Sequence, residues 1–307
     1  MEVKLSQSLL LTFCMLFLIQ SAAAQSQQIP YNAYYGKTIK TSIEYKSRPK
    51  VITTSPNGVS ESTLPDSHAK IDKQTWSTTI SNTKGQPKMT RELNRLEVTA
   101  PGPLGIEKYD SANTFESTDG AEVFVTSKLK ALRKKMNYQL AGGEWKAEPV
   151  ADDIQKTWTD NLPVMGKGDA IRGLFFNASL PKTLANKSSW KETITLPDSE
   201  VENTYTITGI DKNSIIINLE SHQKFKDTSK INSFSFGGVR GNANQSTGNR
   251  MGSVDLSKSY EGTIVVDPAT LLISKMDFTI TNQKNMINGQ MTTPRTQTLS
   301  LKITNQL

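Results

Sequence analysis

The chain has 307 residues, 36 Lys and Arg against 29 Asp and Glu, and a formal net charge of +7. That length suits one or two globular domains. A hydrophobic share of 36% still allows a core, whereas 21% charged residues and a mean hydropathy of −0.45 exclude a polytopic helical membrane protein. With Gly 19 and Pro 13, the chain is neither collagen-like nor wholly disordered.

Residues 1–24, MEVKLSQSLLLTFCMLFLIQSAAA, have the layout of an export signal. Lys4 supplies the positive start, Leu9 to Ile19 the apolar run, and Ala22 and Ala24 the small-residue box before Gln25. A spanning helix needs about 20 apolar residues, so this shorter run is expected to be cut rather than to anchor the chain. Phe13 directly before Cys14 is too bulky for a lipidation signal. Cleavage removes Cys14, the single cysteine, so thiol catalysis, thiolate metal sites and redox switching are not expected in the processed chain. Glu2 and Lys4 leave together, and the net charge is unchanged. The expected location is the periplasm or the medium, with no membrane span after cleavage. An exported chain without disulfides must hold its fold by burial and hydrogen bonding.

The first half contains noisy strand signals: Lys37 to Tyr45 (KTIKTSIEY), Gln74 to Ser81 (QTWSTTIS) and Glu92 to Thr99 (ELNRLEVT). Asn137 to Leu140 is a further strand, resuming past Gly142-Gly143 at Trp145. Helix signals are few. Val125, Leu129, Leu132 and Met136 share one helical face, with Asp119 and Glu122 as a start signal. Shorter amphipathic pieces fall at Asp152–Trp158 and Asp169–Phe176. Ser47–Lys70, Pro101–Gly120 and the Gly/Asn/Ser-rich Ser233–Ser253 read as loops. The helical pieces between residues 151 and 186 suggest a soft boundary between two strand-rich portions, 25–150 and 151–307, which also admit one continuous domain.

The second half alternates more cleanly. Thr204 to Thr208 and Ser214 to Glu220 form a hairpin around Asp211-Lys212-Asn213. Tyr260 to Val266 and Leu272 to Thr281 form another, turning at Asp267-Pro268-Ala269-Thr270. Thr298 to Thr304 alternates through Leu299, Leu301 and Ile303. These segments, TYTITGIDKNSIIINLES at 204–221 and YEGTIVVDPATLLISKMDFTITNQ at 260–283, resemble an exported bacterial β-rich family of unknown function. Leu180-Pro181 and Trp190 resemble that family's leucine-proline step before a tryptophan. Two departures stand out: Ser188-Ser189 replaces the family's Gly-Asp ahead of the tryptophan, and Leu271 replaces the glycine closing the second turn. The resemblance spans roughly residues 170–305. It implies an exported, mostly β protein and no particular activity.

Catalytic signals are sparse. His68 and His222 are the only histidines, and neither is accompanied by a G-x-S-x-G, H-E-x-x-H or C-x-x-C spacing. No cofactor and no metal site is expected. Glu144, Asp152-Asp153 and Asp169 offer carboxylates for glycoside hydrolysis, but nothing in the sequence pairs them. Asp211-Lys212-Asn213 lacks the twelve-residue calcium loop, and Gly166-Lys167-Gly168 lacks the context of a phosphate loop.

Lys128, Lys130, Arg133, Lys134 and Lys135 cluster on or beside the proposed helix. They read either as a solvated face or as a patch attracted to an acidic envelope surface. Export and the lack of aromatic-basic interleaving disfavour nucleic acid. Trp145 and Trp190 are candidates for a sugar-stacking platform, against the plainer reading of all four tryptophans as core anchors.

The expected fold is mainly β: antiparallel hairpins forming a large curved sheet or incomplete barrel, with a few short helices. The expected function is non-catalytic binding, with a lipid or glycan ligand, or an envelope-associated role. A carboxylate-dependent glycan hydrolase is the alternative.

Overall fold

The computed structural model describes residues 29–47, 50–55, 58–63, 69–102, 105–113, 131–148, 158–159, 161–166, 168–181, 183–226, 253–288 and 291–307. Its strands are β1 (Thr38–Ser47), β2 (Lys50–Ser55), β3 (Gly58–Thr63), β4 (Lys70–Thr83), β5 (Gln86–Gly102), β6 (Gly105–Asp110) and β7 (Lys135–Ala141). There follow β8 (Glu144–Ala147), β9 (Ser189–Thr195), β10 (Ser199–Ile210), β11 (Ile215–Phe225), β12 (Ser253–Val266), β13 (Ile273–Asn288) and β14 (Met291–Gln306). Twelve of them form one antiparallel sheet in the order β8-β7-β5-β4-β1-β14-β13-β12-β11-β10-β9, with β6 added beside β5. The β2–β3 hairpin stands apart.

The path of the chain follows from this order. It starts in the middle of the sheet, at β1, and meanders outward through β4, β5 and β7 to the edge strand β8. It must then travel to the opposite edge, β9, before meandering back to β14, which pairs with β1 from Lys40↔Gln306 to Ser47↔Leu299. The sheet is thus continuous across both strand-rich portions of the sequence.

Turn chemistry sets the hairpins. Lys84 and Gly85 at φ 53 and 81, and Gly142 and Gly143 at φ 63 and 82, place two left-handed residues in each two-residue turn, the twist that antiparallel strands prefer. At the β10–β11 turn, Asp211 Oδ1 accepts from the backbone N–H of Asn213 at 2.8 Å and of Ser214 at 2.7 Å. Asp267 Oδ1 accepts from Ala269 N–H at 2.8 Å in the β12–β13 turn. There Leu271 takes φ 58, the conformation a glycine would adopt without strain. The left-handed backbone costs about 1–2 kcal/mol, offset by a side chain only 2% exposed in the core.

Alternation decides which face is buried. Ile39, Thr41, Ile43 and Tyr45 on β1, Ile215, Ile217 and Leu219 on β11, and Leu301, Ile303 and Asn305 on β14 all point inward. On β5 the inward set shifts from Met89, Arg91 and Leu93 to Leu96, Val98 and Ala100. A bulge opposite Thr75/Trp76 inserts the extra residue, so both sets keep to the same side.

A flat sheet of this order would set β8 and β9 about 48 Å apart, at roughly 4.8 Å per strand. A chain of ring contacts links them instead. Trp145 on β8 meets Tyr31 at 5.1 Å, and Tyr31 meets Phe175 at 5.6 Å. One residue on, Phe176 meets Tyr205 at 5.7 Å, and Tyr205 stacks on Trp190 of β9 at 5.0 Å. The sheet therefore curls its ends toward each other. Among the described residues β8 and β9 do not pair, which leaves an open half-barrel.

Four local expectations are corrected. Leu132 and Met136 are not helical: Leu132 bridges to Leu93, Arg133 takes φ 59, and Met136 lies in β7 opposite Arg91. Their spacing of four fits a period of 2 as well as one of 3.6, so it cannot discriminate. Val125, Leu129 and the start signal lie outside the described residues. Asp169–Phe176 shrinks to a 3-10 turn, Asp169–Ile171, because Leu174, Phe175 and Phe176 are buried on every side and leave no polar helix face. Ser47–Lys70 holds the β2–β3 hairpin, and Pro101–Gly120 holds β6; their polar strands carry too weak an apolar alternation to read as strands. Of Asp152–Trp158 only Trp158 is described, and Ser233–Ser253 lies outside the described residues except for Ser253, which begins β12.

Candidate functional site

Because β8 and β9 are opposite edges, the connection between them has to cross the sheet. Its described part, within residues 158–181, runs over the concave face and buries Trp158, Leu162, Val164, Leu174, Phe175 and Phe176 there. It has almost no regular structure, so its backbone is tied down by side chains of the sheet. Asn203 Nδ2 donates to Val164 O at 2.8 Å, Tyr260 Oη to Leu162 O at 3.2 Å, and Asn305 Nδ2 to Gly173 O at 3.0 Å. Leu174 O accepts from Ile273 N–H at 2.8 Å.

At the β9 end the cover meets a carboxylate. Glu192 Oε2 accepts from Tyr205 Oη at 2.8 Å and from Gly166 N–H at 3.3 Å. Burial, then the Glu192 charge, pushes the Tyr205 phenol well above its ordinary value, so it stays protonated and serves as a donor. This is a structural clasp: Tyr205 is fully buried, and its hydroxyl is already committed.

At the other end lies an unusual cation. Arg91 sits at an inward position of β5, fully buried, with its guanidinium carbon 3.5 Å from the ring centre of Trp158. Its Nε donates to Thr78 Oγ1 at 3.3 Å, while Nη1 and Nη2 have no hydrogen-bond partner. Burial pulls its pKa down to about 9. A second interior cation, Lys258 on β12, is 8% exposed and donates to Asn161 Oδ1 at 2.8 Å. Both cations therefore touch the first turn of the cover, Arg91 at Trp158 and Lys258 at Asn161.

A buried cation lacking a counter-charge costs stability. Arg91→Met, which keeps the volume and drops the charge, is expected to stabilise the fold by about 1–4 kcal/mol near neutral pH. The sign with pH follows from the lowered pKa. The unfolded chain holds its proton at pH values where the folded chain has lost it, so the cost is full below about 9 and shrinks as pH rises further. The advantage of Arg91→Met in urea unfolding should accordingly narrow between about pH 8 and about pH 11. A variant less stable than the parent would show that the guanidinium is paired after all.

The residues singled out from sequence do not converge on one site. Trp145 is buried with Tyr31 edge-on against it, and Trp190 is half-buried with one ring face stacked on Tyr205. Arg133, Lys134 and Lys135 are exposed where the chain enters β7, and Lys128 lies outside the described residues. Glu144 is exposed beside a turn, and Asp152-Asp153 lies outside the described residues. Two carboxylates that do come together, Glu97 and Asp110, are both bound by Arg95, at 2.5 Å and 2.7 Å. That guanidinium holds Asp110 below its ordinary pKa, which suits a solvated ion cluster and not a general acid. His222 Nδ1 meets Ser259 Oγ at 3.0 Å on the exposed face, with Glu202 opposite in register, forming an open cross-strand polar row. His68 lies outside the described residues. Among the described residues no group of three His, Cys, Asp or Glu could hold a metal ion.

Arg91 lies one residue before the strand signal that the sequence shows at Glu92 to Thr99. Met89, Arg91 and Leu93 alternate, and a charge at the parity of Met and Leu is the mark of a buried cation.

No family model matches the chain, and no curated protein does. Among solved structures it is similar to the crystal structure of the botulinum neurotoxin serotype C1 binding domain, at 6% identity and a TM-score of 0.14, over 88% of this chain and 79% of that one. A score so low establishes no shared fold. Among the described residues no helix is long and apolar enough to cross a membrane. Fold and site together define a class only: an open antiparallel half-barrel whose apolar concave face lies under an irregular crossover.

Proposed function

We propose that the protein is an exported, non-catalytic binding protein that takes an amphiphilic lipid onto the concave face of its half-barrel. The observation that carries this reading is the nature of the cover. A sheet with one apolar face ordinarily buries it under helices or a second sheet. Here the described cover within residues 158–181 is short of regular structure, with helical residues at Trp158 and Thr159, a 3-10 turn at Asp169–Ile171 and a single bridge from Phe175 to Leu272. It holds on through apolar contacts and a few hydrogen bonds. An acyl chain can make the same non-directional contacts with that lining.

The signal-like residues 1–24 and the resemblance of residues 170–305 to exported bacterial β-rich proteins support a periplasmic or secreted location. Exposed Arg133, Lys134 and Lys135 suit approach to an acidic envelope surface.

The test is purification of the processed protein from its own host under native conditions. The expected result is a mature chain beginning at Gln25 that carries co-purified lipid in native mass spectrometry. A lipid-free protein that also ignores added amphiphiles would end this reading.

A further inference from the structure

We infer that Arg91 is the recognition point for the head of the bound amphiphile, and that this head is a singly charged oxyanion, a carboxylate or a phosphodiester, on a long acyl chain. The inference rests on the amphiphile reading above and adds the chemistry of the ligand to it. Three observations carry it.

The guanidinium is fully buried on the inward side of the sheet, with one face against Trp158 and Nε held by Thr78. Its two terminal nitrogens, the fork that matches the two oxygens of an oxyanion, have no partner. A chain that kept this residue only for packing would do better with Met or Leu, because an uncompensated interior charge destabilises. The second interior cation, Lys258, reaches the same turn of the cover, donates to a neutral amide oxygen, Asn161 Oδ1, and lies 5.4 Å from the centre of the Tyr260 ring. Of the described carboxylates on this face, Glu192 is bound by Tyr205 at the β9 end and Asp72 by Gln74, so neither is given to Arg91. A buried fork left open in this way is complementary to an anionic head and not to a neutral one.

Binding on this scheme exchanges one partner for another. The acyl chain replaces apolar contacts made by the cover around Trp158, and the head supplies the counter-charge that Arg91 lacks. The ligand thus removes a destabilising feature of the free protein, and charged amphiphiles should raise its melting temperature more than neutral ones of equal chain length.

The experiment titrates the full processed chain with sodium palmitate, hexadecanol and a palmitoyl lysophosphatidylglycerol, each below its micelle concentration, by calorimetry and by thermal shift. Palmitate or the lysophospholipid is expected to bind about tenfold to a hundredfold more tightly than hexadecanol, the range that a charge-assisted bond supplies. Whichever anion binds better identifies the head, and either result supports the inference. Arg91→Met should bring both anions down to the affinity of hexadecanol, leave hexadecanol unchanged and not lower the melting temperature. Arg91→Lys, which keeps the charge without the fork, should retain part of the preference.

Equal binding of palmitate and hexadecanol by the parent protein overturns the inference and leaves the amphiphile reading standing. Binding of none of the three overturns that reading and this one with it. Asp160 lies between Trp158 and Asn161 in the sequence, outside the described residues, so Asp160→Asn is the control. A strongly destabilised Asp160→Asn variant that Arg91→Met restores would show that the chain supplies its own anion, and would also overturn the inference.

Discussion

Trp158→Ala is expected to cost the fold about 3–5 kcal/mol, the range for emptying a large aromatic site in a core. Trp158 is fully buried, meets Trp76 edge-on at 5.1 Å and carries the Arg91 guanidinium on its face at 3.5 Å. Its loss leaves a void, removes the cation–π contact and frees the first turn of the cover together. Trp158→Phe keeps an aromatic face and should lose less. The midpoint of urea unfolding reports both. A loss below about 1 kcal/mol for the Ala variant would mean that the cover is not packed under native conditions. The same variant tests the function, because on the proposed reading Trp158 competes with the ligand for one lining. Palmitate should bind the Ala variant more tightly, by about tenfold for each 1.4 kcal/mol of competition removed.

Gly262→Ala is expected to be at least as damaging, for a different reason. Gly262 on β12 lies opposite Phe278 of β13, and a Cβ built there would stand 2.0 Å from the Asp277 carbonyl oxygen and 2.8 Å from Phe278 Cα. Both obstacles are backbone, so no rotamer change relieves them. The two strands have to part, at a cost above about 3 kcal/mol, since overpacking is ordinarily worth 1–3 even where side chains can adjust. Because β12 and β13 lie inside the sheet, the expected outcome is insoluble protein or a broad, low-temperature unfolding transition. A soluble Ala variant with the parent's melting temperature would contradict this backbone approach.

The strands of the second half were legible because their residues obey a single period. Ile215, Ile217 and Leu219 face inward, while Asn218 and Glu220 are partly or fully exposed, so period two reports burial directly. The Asp211 and Asp267 turns were legible for a local reason, a side-chain oxygen capping nearby backbone N–H groups. Where sequence reasoning failed, a second constraint had entered. Leu132 and Met136 satisfied two periods at once. Residues 169–176 read as a one-sided helix, but Leu174, Phe175 and Phe176 are buried in succession, with Phe175 held against Tyr31 and Tyr34.

The candidate site was scarcely legible. Trp145 and Trp190 drew attention by residue type, yet each is placed by packing, against Tyr31 and Tyr205 respectively. Arg91 has no motif. Only its parity within β5 marks it, and its meaning depends on which residues from elsewhere in the chain fail to pair with it.

By itself, then, the sequence determined the β class, most of the strands, the turns that join them and the export-like start, because each depends on neighbours within a few positions of the chain. The pairing of β1 with β14, the curl of the sheet, the passage of the connection across its concave face and the isolation of the Arg91 charge were decided only by the tertiary structure. They arise from contacts between residues far apart in sequence, and burial in three dimensions, unlike alternation along a strand, leaves no period to read.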